Sequence, residues 1–198
     1  MLIFAILVVA ALKALPTANA ASHEYPVWFG AMVDVGSGVG GGATGSGPGG
    51  GFQGFLGAVI GKVPSRSFGL EARVGESVWA GELRTIGNVD FDVRYPAGSG
   101  PFAYVGFAHR HELGIDEALT HVVGAIAATY PGITHRTGFE VGGGWDVATP
   151  FPNSAFGSRI RPTVRLAVTV LPDAVAPPVY ITGNLGITLG IGKVREPG

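Results

Sequence analysis

From Pro26 onward, apolar and polar residues alternate with a period of two, in segments about ten residues long. Residues 87–95 show the rule. Val89, Phe91, Val93 and Tyr95 share one parity, and Asn88, Asp90, Asp92 and Arg94 share the other. Comparable segments are 26–36, 51–62, 67–76, 101–110, 135–147, 159–171 and 179–192, which makes eight strands in all. Connections of uneven length separate them. Residues 63–66 and 97–100 read as tight turns and 148–158 as a somewhat longer one. Residues 36–50, 77–86 and 112–134 read as longer loops, and 172–178 as a brief one. The glycine-rich stretch 36–51 reads as a flexible loop, since a phosphate-cradling loop would need a following helix and usually a lysine. Residues 114–130 have helical spacing and an acidic first turn, which predicts a short helix in the third long loop.

Successive side chains of a strand point to opposite faces, so the two parities are two physical surfaces. One is apolar and aromatic. The other collects Glu71, Asp90, Asp92, Glu140 and Asp146 together with Arg73, Arg94, Arg136, Arg161 and Arg165, interleaved with glycine. A soluble sandwich alternates too, but its wet face is usually rich in Lys, Glu, Ser and Thr. Here Lys62 and Lys193 are the only lysines after residue 20. Arginine suits close pairing with carboxylates, because its planar fork can make two parallel hydrogen bonds. Balanced charge with small spacers fits the interior of an eight-stranded barrel, which is just wide enough to be filled by side chains. The apolar parity then faces lipid, where every backbone group must be paired and the sheet must therefore close. The fold expected is an all-β, up-and-down, eight-stranded antiparallel transmembrane barrel. Trp28, Phe52, Trp79, Tyr95, Tyr104, Trp145 and Tyr180 lie toward strand ends and read as aromatic girdles, and Glu140 and Asp146 as partners of Arg136, Arg161 and Arg165.

Composition adds to this picture. Gly (34 residues) and Pro (14) are abundant, but 46% of the chain is hydrophobic, enough to fold. The formal net charge of -1 gives no basic field for nucleic acid. There is no cysteine, which excludes disulfides, thiolate metal sites and cysteine nucleophiles. Residues 2–12 form a short apolar run followed by Ala18-Asn19-Ala20, so 1–20 reads as a cleaved signal peptide, 21–192 as the barrel and 193–198 as a polar tail. The run is too short to span a bilayer as a helix.

The segments 134–147 (THRTGFEVGGGWDV), 160–170 (IRPTVRLAVTV) and 181–192 (ITGNLGITLGIG) resemble the small OmpA-like and OmpX-like outer-membrane β-barrel domains. Gly142–Gly144–Asp146, Arg161-Pro162 with Arg165, and Asn184 with Gly190 occupy that family's scaffold motifs. The resemblance implies a barrel in the outer membrane of a Gram-negative-type bacterium, in contact with bilayer lipid and lipopolysaccharide, delivered by the barrel-assembly machinery and monomeric. It implies no catalytic residue and no cofactor. The polar segment 193–198 departs from the terminal aromatic usual in the family.

One cluster suggests chemistry. His109 and His111 are two apart on a strand and so share a face, and Glu112 or His135 offers a third ligand to a transition metal. A lipid-deacylating barrel would want Ser and His two apart, and none is found at His109. Three readings therefore stand: a structural or surface-interaction barrel without enzymatic activity, a metal-binding or lipid A-modifying barrel, and a soluble secreted sandwich.

Overall fold

The computed structural model describes residues 25–40, 47–63, 66–79, 83–114, 133–149, 151, 153–172 and 178–192. The segments read as a signal peptide and as a polar tail lie outside them, as does the expected helix except for Gly114, which ends a strand. The strands are β1 (Val27–Val39), β2 (Gly47–Val63), β3 (Arg66–Trp79), β4 (Leu83–Tyr95), β5 (Gly100–Gly114), β6 (Thr134–Asp146), β7 (Ile160–Val170) and β8 (Val179–Ile191). A 3₁₀ turn, Gly157–Arg159, precedes β7. Each strand pairs antiparallel with the next, and β1 closes on β8 from Val27↔Ile191 to Val39↔Val179. The sheet is thus a closed barrel without an open edge, and its backbone polar groups are paired in the wall.

Several strands run beyond the expected limits. The glycine-rich stretch is not all loop. Gly36↔Gly49, Ser37↔Pro48 and Gly38↔Gly47 continue the β1–β2 ladder, and Ser37 Oγ donates to the Gly47 carbonyl at 3.2 Å. Ladder hydrogen bonds need no side chain, and neighbouring strands pass so close that a Cβ would overlap the Ile181 carbonyl at Gly36 and the Glu76 carbonyl at Gly51. Residues 77–79 and 83–86 are likewise strand and not loop, with Trp79 Nε1 donating to Ser77 Oγ at 3.0 Å inside the barrel. The contrast between short and long connections is correspondingly weaker. Only 80–82 separate β3 from β4, whereas 147–159 separate β6 from β7 at the other end. The turn before β5 closes on Gly100, whose φ of +99° is disfavoured for other residues.

The outer surface is apolar around the whole circumference. Phe29, Val33, Phe52, Leu56, Val74, Phe91, Val105, Phe107, Phe139, Leu166, Leu185 and Ile187 are all exposed there. Polar groups mark the band's limits. Arg66, of the same parity as Phe68 and Leu70, stands at the turn end of β3, while Ser37, Glu76, His109 and Thr137 stand toward the loop end of β1, β3, β5 and β6. Between these limits the outward positions run through 27–35, 52–60, 101–107 and 139–147 with no charged side chain. A band of about nine residues per strand, tilted at ~40°, is on the order of 25 Å tall, the height of the lipid-facing belt of transmembrane barrels. No described helix is long and apolar enough to cross a membrane.

The aromatic girdles expected from sequence are only partly on the outside. Phe52 and Trp145 are exposed, and Tyr95 packs beside Phe68 with ring centroids 4.7 Å apart. Trp28, Trp79, Tyr104 and Tyr180 are instead buried in the lumen. The reason is complementarity across strands. A Cβ at Gly57 or Gly69 would overlap the Trp28 indole, one at Gly142 the Tyr104 ring, one at Gly144 the Phe102 ring and one at Gly190 the Tyr25 ring. Inward glycines on one strand make the space that aromatics from another strand fill.

Candidate functional site

Two groups of residues stand out: the charged lumen and three histidines on the outer wall. All ten charged residues read from the sequence as interior (Glu71, Arg73, Asp90, Asp92, Arg94, Arg136, Glu140, Asp146, Arg161 and Arg165) are buried inside the barrel. Asp34, Arg110 and Glu112 join them, so among the described residues seven buried carboxylates face six buried guanidinium groups. The near balance matters, because a lone charge removed from water costs several kcal/mol or more unless it is paired and hydrogen-bonded.

The pairs form tiers along the lumen. Toward the turn end, Arg94 donates to Asp146 at 2.6 Å and to the Gly98 carbonyl at 3.0 Å. Its guanidinium lies 3.7 Å from the centroid of the Phe102 ring. Thr163 donates to the other Asp146 oxygen at 2.7 Å, and Arg161 stands 3.9 Å from Asp146 over the Tyr25 ring. In the next tier Arg165 grips both oxygens of Glu71, which also accepts a 2.8 Å hydrogen bond from the Trp28 indole.

The central tier is built on Arg73. It bonds Asp92 at 2.7 Å through Nε and Glu140 through Nη2, and lies 3.6 Å from Asp90. Arg110 bonds Asp90 and lies 3.6 Å from Glu140, which also accepts from Thr169 at 2.6 Å. Toward the loop end Arg136 bonds Glu112 at 2.9 Å, Tyr180 at 3.2 Å and the Leu171 carbonyl at 2.7 Å. These contacts correct the expected pairing of Glu140 and Asp146. Asp146 does meet Arg161, but Glu140 meets Arg73 and Arg110, while Arg165 and Arg136 take Glu71 and Glu112. Arg73 and Arg165 reach carboxylates on non-neighbouring strands, so their side chains cross the lumen and fill it. Near the loop end a small recess remains, lined by Asp34, Gln53, Ser77, Asn88, Arg110 and Tyr180.

Strand alternation splits the run His109-Arg110-His111-Glu112. Arg110 and Glu112 point inward, while His109 and His111 point outward and meet His135 of β6, which is paired in register with His111. Glu112 is therefore on the opposite face of the wall from the histidines and held by Arg136, so it cannot complete their ligand set. His111 Nε2 lies 2.9 Å, and His135 Nδ1 3.3 Å, from His109 Nε2. The His109 ring is stacked on Phe107, with an interplanar angle of 10°. The serines that an acyl-transfer reading would need lie elsewhere. Ser67 is buried near the turn end, and Ser154 caps the backbone of Gly157.

Solved structures similar to this chain include those of two proteins. One is the N-terminal β-barrel domain of Pseudomonas aeruginosa OprF, at 14% identity and a TM-score of 0.47, covering 84% of this chain and 98% of that one. The other is Neisserial surface protein A, at 11% identity and a TM-score of 0.45, covering 84% of this chain and 97% of that one. At these identities the likeness concerns fold alone. No protein-family model and no curated protein matches the chain.

Proposed function

We propose that this protein is an integral outer-membrane barrel of a Gram-negative-type bacterium, monomeric, serving as a structural anchor or surface-interaction protein. The observation that carries the reading is the inverted distribution of polarity: an apolar wall all around, and, among the described residues, seven carboxylates with six guanidinium groups inside it. Water-facing barrels and sandwiches place these groups the other way round. Bilayer lipid and lipopolysaccharide are the partners of the apolar band, and the barrel-assembly machinery inserts it. With the N-terminus in the periplasm, the connections after β1, β3, β5 and β7 face outward and carry contacts with other surfaces.

Neither an enzyme nor an open pore fits the lumen. Apart from Asp34, which lines the recess, its carboxylates are held by arginines, and arginines block it at successive levels. Purified barrel reconstituted in a planar bilayer is expected to migrate on gels in a heat-modifiable way and to show no steady ion conductance. Sustained conductance scaling with salt would show that the ionic tiers open, and would replace the anchor reading with that of a channel.

A further inference from the structure

The three outward histidines belong neither to the ionic lumen nor to the lipid-facing band. They sit at the loop-side limit of that band, where outward positions turn from Phe107 and Phe139 to His109, Thr137, His111 and His135. Their ligand atoms all lie within 4.8 Å of one another. His109 Nε2 is shared, facing a nitrogen of His111 at 2.9 Å and one of His135 at 3.3 Å. One ring nitrogen has a single lone pair or a single proton in the ring plane, so it cannot serve two such neighbours equally well. A cation can accept a lone pair from all three at once. For metal–nitrogen bonds of about 2.0–2.1 Å, tetrahedral ligands stand about 3.3 Å apart, close to the two spacings from His109 Nε2, while the third pair lies within 4.8 Å.

We propose that His109, His111 and His135 bind a divalent transition cation of the zinc type on the outer wall of the barrel. Coordination is through Nε2 of His109, Nε2 of His111 and Nδ1 of His135. Imidazole ligands select zinc, copper, nickel or cobalt over magnesium and calcium, which want oxygen. Three protein nitrogens leave a fourth position for a water or an anionic oxygen. The ion spans the β5–β6 register pair His111↔His135 just below the 115–132 connection, and so clips together the two strands from which that segment departs. Stacking on Phe107 fixes the plane of the His109 ring. Glu112 is no ligand, being on the lumen side with Arg136.

The test is a calorimetric titration of untagged, detergent-folded protein with zinc chloride, paired with Co²⁺ binding followed by visible absorption. One ion per barrel is expected, with the strong visible bands of four-coordinate cobalt. His109→Ala and His135→Ala should each weaken zinc by at least about 100-fold, since groups that merely orient a ligand are already worth roughly 10–100-fold. Glu112→Gln should bind as the native protein does. Heat-modifiable migration reports folding of each variant separately, and the glutamine variants replace any alanine variant that fails to fold. Absence of one-to-one binding, or binding indifferent to His109 and His135, would overturn the site. Loss in Glu112→Gln alone would overturn the ligand set. The titration is made in detergent, so its outcome is independent of where the barrel resides in the cell.

Discussion

Replacing Arg73 by methionine is expected to destabilise the folded barrel by about 3–5 kcal/mol, the usual cost of removing one partner from a buried ionic cluster. Methionine matches the length of the stem but supplies no donor. Asp92 would lose its 2.7 Å hydrogen bond, and Glu140 would keep only Arg110 and Thr169. Three carboxylates would then share a nearly dry space with one guanidinium, Arg110. Urea unfolding of the barrel in lipid vesicles, followed by the gel shift between folded and unfolded forms, measures the loss. Arg159→Met serves as the control. Arg159 ends the 3₁₀ turn outside the cluster, and its replacement should change stability by less than about 0.5 kcal/mol. Equal effects at Arg73 and Arg159 would mean that the central tier contributes nothing to stability.

The second large effect is expected on the other face of the wall. Leu166 is at mid-height on β7, points outward and is 62% exposed. Leu166→Arg should cost about 2–4 kcal/mol in a bilayer, because the charge would enter hydrocarbon at the depth where that is most expensive. The same substitution in a barrel standing in water would be close to neutral, since arginine is an ordinary surface residue there. The two faces thus answer oppositely: the lumen needs its arginine and the wall excludes one. Vesicle unfolding distinguishes the outcomes. A neutral Leu166→Arg in lipid would mean that this surface does not face the hydrocarbon.

The barrel was legible in the sequence because its decisive signal is local. Alternation over a single strand already separates Val89, Phe91 and Val93 from Asp90, Asp92 and Arg94, and no knowledge of the neighbouring strand is needed. What depends on distant strands was hidden. Arg73 meets Glu140, 67 positions away, and Arg165 meets Glu71, 94 positions away, so proximity in sequence does not predict these pairs. The inward placement of the aromatics is hidden for the same reason. Trp28 belongs inside because Gly57 and Gly69, on two other strands, leave room for it.

In β5 the inward parity begins Phe102, Tyr104, Gly106 and Ala108, which does not look polar and so gives no sign that Arg110 and Glu112 belong to the lumen. Strict alternation through His109-Arg110-His111-Glu112 contains the correction, since it sends the two histidines one way and Arg110 and Glu112 the other. His135 needed the strand register as well, for only the pairing with His111 brings it to the other two rings. Between residues 36 and 50 glycine reads as loop by composition, yet close strand approach demands it at Gly36.

The central claim is that an apolar wall faces lipid while the charges face inward. Separation of membranes from soluble protein, with and without detergent, tests it most directly. The protein should sediment with the outer membrane, resist extraction by salt and enter solution as a monodisperse species only with detergent. A mature protein that is soluble and monodisperse without detergent would contradict it.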